Sequence, residues 1–238
     1  MLTRRGFDTR YQFLMTPQCP SAVALRGIKS EHAMNETARI EAFSDGIFSI
    51  AATLLVLELK HPAPELPFWA GIMRLWPGYL SFVLSFFFIG IMWINHHRMF
   101  VYIQKADDVL MAVNLLLLLG VVFMPYPTAL MAASITMLDN AYSRHVAIFY
   151  NSGYFIIALL FNLLWYVCRK RNLIDPNIGH DRLHATTNLY AKGPILYAAC
   201  LLTTLWSVPL SLAMNGALAI YFLLPAHHPV HREPQPPH

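Results

Sequence analysis

The sequence predicts an all-α integral membrane protein, on three observations. Apolar residues make up 56% of the chain and charged residues only 13%, against roughly 25% charged in an ordinary soluble domain. The charges are segregated, leaving apolar runs of about 20 residues, long enough to cross a hydrocarbon core of roughly 30 Å as helices. Lysine and arginine cluster at alternate links between those runs, as the positive-inside bias of membrane proteins requires.

The first span is expected at 40–59, ended by Lys60, His61, Pro62 and Pro64, a strong stop signal. Pro77 suits the first turn of a second helix running to about Phe100. Trp69 and Trp76, just before it, fit an interfacial aromatic belt. Asp107 or Asp108 is placed to cap a third span over 109–132, whose far end Pro125 and Pro127 should kink or loosen. A fourth span over 146–168 stops at Arg169, Lys170 and Arg171, and a polar, His-rich linker is expected from there to Lys192. The last apolar stretch, 194–224, carries Ser207, Pro209 and Ser211 near its middle. It is either one kinked helix or two helices of about 15 residues, each roughly 22 Å long. Periodicity leaves both open.

With six spans and a cytoplasmic N-terminus, the outside holds Lys60, Arg74 and Arg144, leaving fourteen of the 17 lysines and arginines inside. The net charge of +4 then reflects topology, and no basic face interleaved with aromatics points to nucleic acid. Cys19, Cys168 and Cys200 have neither pairing nor metal-ligand spacing. No Gly-rich phosphate loop or nucleophile elbow is present, so the chain is not expected to be an enzyme. Residues 1–33 lack a continuous apolar core and fail as a secretory signal. They read as an extension, either disordered or preceding a true start at Met34. A transmembrane domain over 34–225 and a cytoplasmic His- and Pro-rich tail over 226–238 complete the division.

The first span carries the chemistry. Asp45, Ser49 and Thr53 recur every four residues, a polar stripe that in a bilayer faces protein or water. Ile50, Leu54 and Leu57, spaced four and three, share another helix face. Adjacent His96 and His97 point about 100° apart on a helix and do not suit one metal, so neither metal nor cofactor is expected. Two other readings stay in view. One is a proton- or ion-coupled transporter using Asp45 and the histidines, and the other is a bis-histidine haem protein.

Arg39-x-x-x-Phe43-Ser44-Asp45-Gly46, then Trp93-Ile94-Asn95-His96-His97-Arg98, then Asn114 with five leucines and Phe123-Met124-Pro125-Tyr126-Pro127-Thr128 together resemble the transmembrane protein 175 family of potassium channels, in its bacterial six-helix form. The resemblance implies six transmembrane helices per subunit and a homotetramer in a bacterial plasma membrane, with both termini cytoplasmic and potassium as the permeant ion. It also implies a central pore lined by the first helix and narrowed by apolar rings at Ile50, Leu54 and Leu57. Such a ring gates by dewetting and passes an ion of reduced hydration when wider. Ser49 and Thr53 are then the polar partners beside Ile50, and Glu58 concentrates cations at the mouth. Arg39, Phe43, Ser44 and Asp45 form the structural motif, with Asp45 expected to meet Trp93, Asn95, His96 and His97 in a scaffold lock. Neutralising Asp45 is expected to abolish assembly or folding.

Overall fold

A computed structural model describes residues 22–135 and 140–224, with side chains from Glu36 onward apart from that of Glu58. Residues 1–21 and the tail over 226–238 lie outside the described residues. Helix α1, Ala22–Leu54, tightens into a 3-10 turn at Leu55–Glu58 and ends at Leu59 in extended backbone. It starts well before the expected residue 40, inside the stretch read as an extension. Good helix formers (Ala, Leu, Arg, Lys, Glu, Met) make up most of positions 22–39, and no proline interrupts them. A short helix not anticipated from sequence, α2 (Phe68–Arg74), precedes α3 (Trp76–Phe100), which carries Pro77 in its first turn as expected. Trp69 and Trp76 are exposed there.

Helix α4, Asp108–Phe123, is capped by Asp107, whose carboxylate accepts from the Leu110 amide at 2.8 Å. The expected loosening at the prolines falls at Met124, and α5 (Pro125–Ala133) restarts with proline in its first turn. Helix α6, Ala141–Lys170, is capped by Asn140 and is longer than the apolar run alone indicated. Its end is a Schellman turn: Asn172 takes φ 55°, and the Leu173 amide returns to the Cys168 carbonyl at 3.0 Å.

The polar linker expected up to Lys192 is largely helical, because α7 runs His180–Thr203 with Pro194 inside it. Packing overrides composition here. Trp165 Nε1 donates to Thr187 at 3.1 Å, Asn162 donates to the Tyr190 carbonyl at 3.1 Å, and the Tyr190 ring stacks on Phe161. The stretch 194–224 resolves into two helices: α7 ends at Thr203, and α8 (Val208–Leu223) opens with Pro209 in its first turn and Ser207 as its cap. Proline therefore starts a helix here and does not kink one. A buried polar knot holds this hairpin to α6. Asn151 Nδ2 donates to Thr204 at 3.0 Å, and Asn215 Nδ2 donates to Asn151 Oδ1 at 2.6 Å.

Among the described residues four segments are long and apolar enough to cross a membrane: Glu36–Leu57, Trp76–Phe100, Asp108–Ala133 and Ala141–Lys170. Helix α8 is shorter, at 16 residues. One end of the bundle is tied by its links. Ile103 and Ile174 form an antiparallel bridge, Gln104 donates to the Leu173 carbonyl at 2.9 Å, and Arg171 pairs with Asp107. Burial pushes the Asp107 carboxyl up, but the Leu110 amide and the Arg171 guanidinium outweigh it and hold it below the ordinary carboxylate value. At the same end, Glu41 of α1 meets His97, and Arg98 donates to the Leu223 carbonyl at 3.3 Å. The lower part of α1 and the close of α8 therefore share that end.

Candidate functional site

Helix α1 carries two apolar stripes. Phe48, Ala51 and Leu55, spaced three and four, are buried, and Ser44 and Thr37 continue the same face. The second stripe points away from the bundle: Ile50 is 59% exposed, Leu54 53% and Leu57 75%, with Phe43 beyond them. One helix thus has one side fastened to its own chain and a second, equally apolar side left open. The Thr53 hydroxyl donates to the Ser49 and Ile50 carbonyls, both at 3.0 Å, and its oxygen stays available as an acceptor. Ser49 lines a lateral cleft between α1 and α3 beside Asp45, Phe86 and Trp93. Glu58 closes the 3-10 turn, and its side chain lies outside what is described.

The fastened side is held by a directed chain of hydrogen bonds through fully buried groups. His96 Nε2 donates to Asn114 Oδ1 at 2.9 Å, Asn114 Nδ2 donates to Ser44 Oγ at 2.9 Å, and Ser44 Oγ donates to the Ile40 carbonyl at 2.8 Å. That direction satisfies every group except His96 Nδ1, which has no partner. The imidazole is clamped by stacking on Phe100 at 4.3 Å between centroids and by Phe48 at 5.4 Å. Three helices, α1, α3 and α4, meet in this one relay.

The expected group around Asp45 is divided among four places. Asp45 accepts from Trp93 Nε1 at 2.8 Å. His97 Nδ1 pairs with Glu41 at 2.7 Å, whereas His96 belongs to the Asn114 relay. Asn95 faces the opposite side of α3, donating to the Ile91 carbonyl at 2.8 Å and lying 3.5 Å from that of Phe222, while Tyr190 OH donates to the Asn95 carbonyl. The physical reason is the 100° step between successive helix residues: four neighbours cannot address one carboxylate. Arg39 and Phe43 line a cleft with Glu36, Asp107 and Asp108, opened between α1 and the start of α4. Glu41 and Asn114 were absent from the expected site. A polar residue inside an apolar run was the available signal for Asn114. Among the described residues no group of three or more His, Cys, Asp or Glu could hold a metal ion.

Comparison with known proteins adds the relatives. The family described as "Endosomal/lysosomal potassium channel TMEM175" matches residues 39–125, a span that contains the α1 stripes, the relay and the Pro125 break. The chain is 40% identical over 192 residues to a potassium channel of Streptomyces collinus, covering 79% of this chain and 92% of that one. It is also 40% identical over 195 residues to a potassium channel of Chamaesiphon minutus, covering 80% and 95% respectively. Its fold matches the crystal structure of a lysosomal potassium-selective channel TMEM175 homolog from Chamaesiphon minutus, with a TM-score of 0.68 and 39% identity, over 79% of this chain and 96% of that one.

Proposed function

The chain belongs to the TMEM175 family, and from that premise we propose that it is a potassium-permeable channel of leak type. It moves ions passively through a pore formed between copies of α1. The observation that carries this reading is the open stripe of Ile50, Leu54 and Leu57, opposite the stripe that fastens α1 to its own chain. A homotetramer brings four such stripes together, and the narrowest ring is Ile50. An apolar ring cannot coordinate a cation, so it acts through width and wetting, while Thr53 and Ser49 provide oxygens nearby. Glu58 stands at the mouth and raises the local cation concentration.

In this reading each subunit crosses the membrane six times, with α7 and α8 as the last two crossings. The Lys and Arg bias supports both ends of the chain being cytoplasmic, and the relatives from Streptomyces and Chamaesiphon support a bacterial plasma membrane as the site of action. Asp45, Arg39 and the His96 relay are scaffold that fixes the angle of α1, not ion ligands. No covalent chemistry and no cofactor are involved.

The test is the reversal potential of purified protein in a planar bilayer, with potassium on one side and sodium on the other, for wild type and for Ile50→Asn. A potassium-directed reversal that collapses toward zero in the variant is the expected result. Absence of current at every voltage would overturn the channel reading. Unchanged selectivity in Ile50→Asn would move the constriction away from Ile50.

A further inference from the structure

A basic and aromatic cleft lies on the outside of the bundle between the end of α6 and the first half of α7, away from the α1 face. Trp165, Tyr166, Arg169, Lys170 and Thr187 line it, around a volume of about 420 Å³. Thr187 is saturated, because its hydroxyl donates to the Leu183 carbonyl at 2.7 Å and accepts from Trp165 and Arg169. That anchors one nitrogen of Arg169 at 3.3 Å and leaves its remaining N–H groups for another acceptor. Lys170 sits over the Tyr166 ring, 5.6 Å from its centroid. Among the described residues neither cation has a carboxylate partner; the ion pairs there are His97–Glu41 and Arg171–Asp107.

Running away from this cleft along α6 are Ile156, Leu159, Leu163 and Tyr166, all exposed and spaced three, four and three. From Ile156 to Tyr166 the run covers eleven residues and rises about 15 Å at 1.5 Å per residue, the part nearest the cleft of an exposed face that Phe149 continues. That rise is half of a hydrocarbon core of roughly 30 Å, the depth of one leaflet. An exposed apolar stripe that reaches Tyr166 and then two cations without carboxylate partners among the described residues has the charge and polarity pattern of one lipid molecule. We propose that this groove is a binding site for an anionic phospholipid of the adjacent leaflet, with its phosphate between Arg169 and Lys170 and one acyl chain along Ile156, Leu159 and Leu163. Basic pockets between transmembrane helices are a recurrent form of headgroup recognition. The proposal rests on the membrane placement given above and is independent of conduction, so its test measures lipid and not current.

Full-length protein is purified, delipidated and titrated with phosphatidylglycerol or phosphatidylcholine, and retained lipid is read by native mass spectrometry. The expected result is about thirtyfold preferential retention of phosphatidylglycerol by wild type, from two cations at the membrane surface. It should fall to near unity in R169Q/K170Q and persist in R74Q, which loses a charge from α2, at the opposite membrane face in the six-span reading. Equal retention of both lipids by wild type, or full preference in R169Q/K170Q, overturns the proposal. Two wild-type or near-wild-type controls do not depend on the double variant. Displacement of lipid by inorganic phosphate, but not by chloride of equal ionic strength, would make the site one for a free anion. Disulfide-linked dimers formed by L163C in membranes would make the stripe an interface between copies.

Discussion

Replacing Asn114 with leucine keeps the volume of the side chain and removes both internal links of the relay. Two contacts of 2.9 Å disappear, one from His96 and one to Ser44. Ser44 keeps its bond to the Ile40 carbonyl, so only the imidazole is left with neither nitrogen satisfied, since Nδ1 already lacks a partner. At about 1 kcal/mol net per hydrogen bond and about 1–3 kcal/mol for the orphaned group, the expected loss is about 3–5 kcal/mol. Membrane helices set a floor near 1 kcal/mol for the pair of bonds, at about 0.6 kcal/mol each. The assay is reversible unfolding in mixed detergent micelles for Asn114→Leu, His96→Leu and the double variant. Each single variant orphans a buried partner that the double variant removes. The double should therefore cost about 1–2 kcal/mol less than the sum. Additivity within about 0.5 kcal/mol would refute the relay as a coupled unit. Unchanged stability with an altered potassium to sodium ratio would refute its role as scaffold.

Three further outcomes follow from the packing. At Gly153 an added Cβ would stand 2.8 Å from the Met124 sulfur; Gly153→Ala should cost about 1–3 kcal/mol as overpacking, with partial recovery when Met124→Ala is added, read by thermal unfolding. Removing the cap with Asp107→Ala should cost about 1 kcal/mol through α4 and at most about 1 kcal/mol more through the half-exposed Arg171 pair. Because the Asp107 carboxyl is held below its ordinary value, its contribution is present above a pH of about 4 and fades as pH falls through the lowered value. The wild type should lose more stability than the variant on acidification below that point, and parallel pH profiles would contradict the assignment. Asp45→Ala should strip the Trp93 indole of its acceptor and lower the yield of assembled protein by gel filtration, with selectivity intact in what assembles.

Much of the bundle was legible because apolar runs and their stops are strong local signals. A cap at Asp107 or Asp108, which the structure resolves to Asp107, Pro77 opening α3 and the break near Pro125 were readable from residue chemistry alone. The start of α7 was not, since a segment as polar as His180 to Lys192 becomes helical through Tyr190, Thr187 and their partners on α6, which composition cannot report. Pro209 was ambiguous for the opposite reason: a proline is equally at home starting a helix or kinking one, and the Ser207 cap decides between them. In the site, periodicity separated the Ile50 face from the Asp45 face. It did not assign partners, so the single lock expected around Asp45 became four separate contacts. Glu41 escaped notice because a carboxylate near the beginning of a membrane helix looks like an ordinary solvated charge.

The hairpin of α7 and α8 gives the bundle walls of unequal height. Helix α6 has 30 residues and α8 has 16, about 45 Å against about 24 Å. In the six-span reading proposed above a bilayer of ordinary thickness overtops α8, and the polar knot of Asn151, Thr204, Ser211 and Asn215 ties the hairpin's turn to α6. In that reading lipids beside α8 would compress while those beside α6 would not. The protein therefore meets its membrane with an uneven rim, and a thinner bilayer fits the α8 side better at a cost of fractions of a kcal/mol per Å elsewhere. Membrane thickness thus becomes a variable that the last helix feels before the others do.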